Sequence, residues 1–76
     1  MNNTRRAQIA KIAEAVSDLS SQLEGLRDEE QEYLDNMPES LQSSEKATNA
    51  ENTVSCIDDA IASLEEVNER LEEAQQ

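Results

Sequence analysis

Two series of mainly apolar residues, one on each side of the single proline, repeat with alternating steps of three and four residues. The first series is Ile9, Ile12, Val16, Leu19, Leu23, Leu26, Glu30, Tyr33 and Met37. The second series is Ala47, Ala50, Val54, Ile57, Ile61, Leu64, Asn68 and Leu71. This spacing puts both series at the a and d positions of a heptad repeat, which is typical of helices that pack along a shared seam. The pattern predicts an all-α protein.

Local signals predict where the two helices begin and end. The predicted elements of this single domain, residues 1–76, are helix 1 over about residues 4–35, a turn over about residues 36–43 and helix 2 over about residues 44–73. Thr4 is a candidate N-cap of helix 1, and Ser43 or Ser44 can cap helix 2. Pro38 disfavours helical geometry in the residue before it, so helix 1 is expected to stop there.

A connection of about eight residues is long enough to reverse the chain direction, which predicts an antiparallel αα-hairpin. Charges at the chain ends favour the same arrangement. Arg5 and Arg6 lie at the positive end of the dipole of helix 1, and Glu69, Glu72 and Glu73 lie at the negative end of that of helix 2. In an antiparallel hairpin these two clusters lie side by side and neutralise each other.

A chain of 76 residues with one cysteine and no histidine lacks the disulfide and zinc supports of many small folds. Oligomerisation is the support that remains. The g positions of helix 2 widen its apolar stripe beyond the width of one partner helix. We therefore expect a coiled-coil-like αα-hairpin that forms a homodimer, a four-helix bundle. The predicted oligomer interface consists of Ala60, Val67, Asn68, Leu71 and Ala74.

The formal net charge of −12 predicts binding to a basic protein surface and disfavours direct binding to nucleic acid or to an anionic membrane. The acidic helices could mimic the phosphate charge of DNA or RNA, or simply form a solvated face that keeps a small bundle soluble. The predicted partner-binding acids are Asp28, Glu29, Glu32, Asp35, Asp58, Asp59, Glu65, Glu66 and Glu69. The lone free thiol, with no signal-peptide pattern, favours a cytoplasmic location.

The sequence offers little enzymatic chemistry, and we expect a protein that is not an enzyme and needs no cofactor or metal. All-helical nucleotide pyrophosphatases bind magnesium through a Glu-x-x-Glu and a Glu-x-x-Asp pair, and Glu29 with Glu32, or Glu66 with Glu69, fits half of such a motif. No basic cluster accompanies them to hold phosphates. A bundle that sequesters a ligand or hydrolyses nucleotides with a metal therefore ranks behind the binding hypotheses.

Several single residues have two interpretations. Asn68 at an a position either fixes the register of the helices or stays solvated, and Glu30 is either a buried acid or a solvated one. Cys56 at a c position is expected to be exposed, without a basic neighbour in sequence that would activate it. Tyr33 is expected in the core near the turn, or as part of a turn-end anchor for a partner. That anchor consists of Tyr33, Leu34, Met37 and Leu41.

The turn from Tyr33 to Gln42, the run Ile57 to Ile61 and the Leu64-Glu65-Glu66 segment resemble small acidic hairpin proteins of phages and other mobile elements of Gram-positive bacteria. The resemblance covers about half the chain, from Glu29 to Val67. It implies a bacterial host and a small protein that binds and blocks a host enzyme or defence complex. The leading hypothesis is thus a non-enzymatic, inhibitor-like binding protein, and the alternative is an assembly protein that oligomerises through the apolar face of helix 2.

Overall fold

The computed structural model describes residues 2–76, which form two long helices joined by a short 3-10 segment. Helix α1 spans Asn3–Asp35, the 3-10 segment spans Glu39–Leu41, and helix α2 spans Glu45–Ala74. The two helices pack against each other along a hairpin about 60 Å long. Residues 2–76 contain no strand, and no helix among them has both the length and the hydropathy that a membrane crossing needs. The predicted all-α hairpin is confirmed.

Side-chain caps define where each helix starts. The Asn2 carboxamide accepts a 2.8 Å hydrogen bond from the Arg5 backbone N–H, so α1 begins at Asn3 and the predicted cap Thr4 lies inside its first turn. Asparagine caps at least as well as threonine, which explains the earlier start. Ser44 caps α2 by accepting from the Ala47 backbone N–H, and its hydroxyl also donates to the Leu41 carbonyl.

The chain ends meet through a backbone carbonyl. Arg6 Nε donates a 2.9 Å hydrogen bond to the carbonyl oxygen of Gln75, just beyond the end of α2. The sequence predicts that Arg5 and Arg6 are neutralised by the terminal glutamates. In residues 2–76, however, the ion pairs within 4 Å involve Arg27 and Arg70. Arg6 thus stabilises the negative end of the α2 dipole through a carbonyl group that the helix leaves unpaired.

The seam on α2 follows the predicted series. Ala47, Ala50 and Ile61 are buried. The other members of the series are partly buried, namely Val54, Ile57, Leu64, Asn68 and Leu71. The repeat of seven residues holds over the whole helix, so its a and d positions face α1 throughout.

The seam on α1 differs from the predicted one. Its a positions face α2 as expected, but the d positions Ile12, Leu19, Leu26 and Tyr33 are about half exposed, at 50–54%. The residues at e positions lie against α2 in their place. They are partly buried, and they are Ala13, Ser20, Arg27 and Leu34. The helix is therefore rotated about its axis. Two of the e residues are small and allow α2 to approach closely, and a third forms an ion pair across the seam.

Candidate interaction surfaces

The rotation of α1 places one apolar column from each helix on the same side of the hairpin. Tyr33, a d residue of α1, and Lys46, a g residue of α2, line one cleft. Because the heptad register holds along both helices, the remaining d residues of α1 and g residues of α2 flank that same side. We call this surface the apolar face. Its exposed members are Ile12, Leu19, Leu26, Tyr33, Ala60, Val67 and Ala74.

A cleft of about 550 Å³ lies where the apolar face reaches the turn. Tyr33, Met37 and Leu41 line it together, and Met37 is the buried member, at 7% exposure. Leu34, the fourth predicted turn-end residue, lies on the other side of the hairpin, where it lines a smaller cleft with Gln42. The structure therefore brings three of the four predicted anchor residues together.

The predicted oligomer interface also divides into two groups. Ala60, Val67 and Ala74 are exposed on the apolar face. Asn68 and Leu71 are partly buried between the two helices. Since α1 already covers part of these two side chains, the exposed group offers more surface to a second molecule.

The opposite side of the hairpin carries a groove lined by acidic and serine side chains. Its lining residues are Ser17, Ser20, Ser21, Glu24, Glu65, Asn68, Glu69 and Glu72. Further towards the turn, Arg27 Nε lies 3.3 Å from an Asp58 carboxylate oxygen and 3.5 Å from one of Asp28. We call this surface the acidic face. Its members are Glu24, Asp28, Glu51, Asp58, Glu65, Glu69 and Glu72.

All nine predicted partner-binding acids are exposed, but they do not form one surface. Asp28, Asp58, Glu65 and Glu69 belong to the acidic face. Glu29 and Glu32 line the turn-end cleft on the opposite side of the hairpin. Asp35 lines the smaller cleft with Glu51, on the side of the acidic face. Asp59 and Glu66 lie at f positions, on the outer surface of α2. A flat partner surface therefore cannot contact all nine at once.

Three acids of the acidic face are absent from the predicted set, namely Glu24, Glu51 and Glu72. A signal for two of them exists in the heptad register of α2, in which every e position from residue 51 onward is acidic. The acids of α2 all occupy b, e or f positions, and these are Glu45, Glu51, Asp58, Asp59, Glu65, Glu66, Glu69, Glu72 and Glu73. None occupies a c or g position, so α2 is acidic on one side and free of acids on the other.

Cys56, Glu30 and Asn68 lie at separate places along the two helices. Within residues 2–76, no three acidic or cysteine side chains converge as a metal site would require. The Cys56 thiol is exposed on α2, and Glu30 is partly buried at its a position in the seam. Asn68, the other polar residue of the seam, donates a hydrogen bond to the Ser17 hydroxyl of α1.

Comparisons of the chain with known proteins found no match. No family model matches the chain, and neither a curated protein nor a solved structure matches it.

Proposed function

We propose that this chain is a non-enzymatic protein-binding module that presents its acidic face to a basic surface of a partner protein. The observation that carries this proposal is the separation of charge on α2, whose acids all lie at b, e and f positions. A charged face that only kept the protein soluble would not require this separation, because acids on any exposed position serve that purpose.

The sign and alignment of the charge fit a partner surface that binds nucleic acid. The seven members of the acidic face are all carboxylates, along a hairpin about 60 Å long. A DNA strand likewise presents a row of negative charges to the proteins that bind it. Preassembled acidic helices can therefore compete with a phosphate backbone for a basic groove, by charge attraction and by steric exclusion.

The resemblance to phage hairpin proteins supplies a biological context for such competition. The proposed partner is a host or defence protein whose basic surface faces nucleic acid, and the proposed action is stoichiometric inhibition in the bacterial cytoplasm. Occupation of that groove would block the partner without any chemical step.

This proposal is tested by capture of proteins from a bacterial lysate on the immobilised chain, followed by elution with duplex DNA. We expect a captured protein that both duplex DNA and about 500 mM salt release, since the Debye length is then only a few Å. The variant E65Q/E69Q/E72Q should lose capture. The variant D18N/E29Q/E32Q has the same change in net charge on the other side of the hairpin and should keep it. Equal loss in both variants, or binding insensitive to salt and DNA, would contradict the proposal.

A second candidate role, self-assembly, is supported by a different observation. Four large side chains of α1 are about half exposed in one column, and Val67 of α2 is 42% exposed on the same side. We propose that this face mediates homo-oligomerisation, with a dimeric four-helix bundle as the product. Single exposed apolar residues are common on protein surfaces, whereas several on one side of the hairpin support an interaction site.

A further inference from the structure

We infer that the apolar face binds a second copy of the chain face to face, antiparallel and with two-fold symmetry, so that the turn of each copy covers the chain ends of the other. This inference rests on the self-assembly role proposed above and adds its geometry. It is independent of the acidic face, which lies on the opposite side of each hairpin.

The hairpin exposes more area than a compact monomer of its mass, and the excess is about the area that each partner buries in a dimer. The chain exposes 5594 Å². The scaling for folded monomers gives about 4,650 Å² at a mass of 8.5 kDa. The difference of about 900 Å² is close to the roughly 800 Å² that each partner buries in an interface of standard size. A second copy is therefore a partner of the right size.

Two contacts across the seam show which residues of α1 and α2 lie at the same height along the hairpin. Asn68 donates a hydrogen bond to Ser17, and Arg27 forms an ion pair with Asp58. In both pairs the two residue numbers add to 85. A residue of α1 therefore lies level with the residue of α2 whose number brings the sum to 85.

The two columns of the apolar face have their midpoints at nearly the same height. The midpoint of the α1 column lies between Leu19 and Leu26. With the exposed g residue Thr53, one heptad before Ala60, the α2 column runs from Thr53 to Ala74, and its midpoint lies between Ala60 and Val67. With the matched heights above, the two midpoints differ by about one residue, or about 1.5 Å of helix rise. A single two-fold axis that crosses the face at this height can therefore relate both helices to their copies in the second molecule, as a symmetric dimer requires.

This axis produces complementary apolar contacts. It places Leu19 of each copy opposite Leu26 of the other, and Ile12 opposite Tyr33. On α2 it places the smaller Ala60 opposite Val67. Each helix thus packs against its own copy, and large residues meet large residues along α1 while smaller ones meet along α2.

Charge also favours the antiparallel arrangement. Arg5 precedes Ile12 by one heptad, so it extends the α1 column towards the chain end. In the antiparallel dimer Arg5 lies about level with Glu39 of the second copy, and Lys11 lies near Glu32 of the second copy. In a parallel dimer Arg5 would lie beyond the end of the α2 helix that it faces. The acids of α2 point away from the interface in either case, because none occupies a c or g position.

The first test is the oligomeric state, measured by sedimentation equilibrium over a wide range of concentrations. We expect a dimer whose dissociation constant rises about 100-fold or more in L26E, because the substitution buries two carboxylates near the axis. The control A10E adds the same charge to the other side of α1 and should leave the dissociation constant within about threefold. Circular dichroism of both variants confirms that the hairpin is folded. A wild-type monomer at all concentrations, or equal effects of the two variants, would overturn the inference.

The second test is the direction of the two copies, measured by cross-linking in a C56S background. Q22C lies next to the two-fold axis, so a short bismaleimide should join two Q22C chains efficiently and two E24C chains poorly. Efficient linkage of a Q22C chain to an S63C chain, without linkage of Q22C to itself, would overturn the antiparallel arrangement in favour of a parallel one. The variant E65Q/E69Q/E72Q should dimerise like the wild type, so loss of partner capture and loss of the dimer remain separate outcomes.

Discussion

Asn68 in α2 and Ser17 in α1 are joined across the seam by a 2.9 Å hydrogen bond from the Asn68 amide to the Ser17 hydroxyl. The Asn68 carbonyl oxygen is buried and has no hydrogen-bond partner among residues 2–76. This pair therefore links the helices at a defined height at some cost in stability. Polar residues at a positions of coiled coils specify register in the same way.

The first prediction is that Asn68→Leu stabilises the hairpin. The substitution removes a buried oxygen without a partner and adds apolar contact in the seam, so the free energy of unfolding should rise by about 1 kcal/mol. Urea denaturation followed by circular dichroism measures this change. Asn52→Leu, at an exposed f position of the same helix, is the control and should change the free energy by less than about 0.5 kcal/mol. A clear loss of stability in Asn68→Leu would contradict the prediction.

The second prediction compares two isoleucines that the sequence places in the predicted seam. Ile61 of α2 is 8% exposed, whereas Ile12 of α1 is 54% exposed. Ile61→Val should lower the free energy of unfolding by about 1 kcal/mol, as removal of one buried methylene does. At a concentration at which the chain is monomeric, Ile12→Val should lower it by less than about 0.3 kcal/mol. Equal losses in the two variants would mean that α1 is not rotated and that its d residues lie in the seam.

The seam of α2 could be predicted from the sequence because its apolar residues at a and d have no competitor at e. Every e position from residue 51 onward is acidic, so a rotation of α2 like that of α1 would bury carboxylates. In α1 the choice is less clear, because Ala13 and Leu34 at e compete with the residues at d. The orientation of α1 then depends on how closely α2 approaches and on the ion pair between Arg27 and Asp58. Neither is visible in the pattern of one helix alone.

The two faces of the hairpin follow from that orientation. The acidic column at the e positions of α2 is visible in the sequence once the register is known. The addition of Glu24 to it requires knowledge of which side of α1 flanks it. The separation of Glu29 and Glu32 from Glu65 and Glu69 likewise depends on which side of the seam each column takes. Composition alone groups all these acids together.

The third prediction concerns Gly25, the single glycine, which lies in the interior of α1. A Cβ atom added there meets no other atom within 4 Å, and its backbone has no positive φ angle. Gly25→Ala should therefore raise the free energy of unfolding by about 0.5–1 kcal/mol, the difference in helix propensity. Urea denaturation at a fixed protein concentration measures the change. No gain, or a loss, would show that this segment of α1 needs the flexibility of glycine.

The last prediction concerns salt. With a net charge of −12 and with Glu65, Glu69 and Glu72 spaced three or four residues apart on one face, like charges repel each other in the folded hairpin. Screening should relieve this repulsion, so the melting temperature should rise by about 5 °C between 50 and 500 mM NaCl, which corresponds to about 1 kcal/mol. Thermal denaturation at one protein concentration measures this shift. The variant E65Q/E69Q/E72Q should melt at a higher temperature in low salt and show a smaller rise. A melting temperature that falls with salt would mean that attractive ion pairs, such as Arg27 with Asp58, outweigh the repulsion on the acidic face.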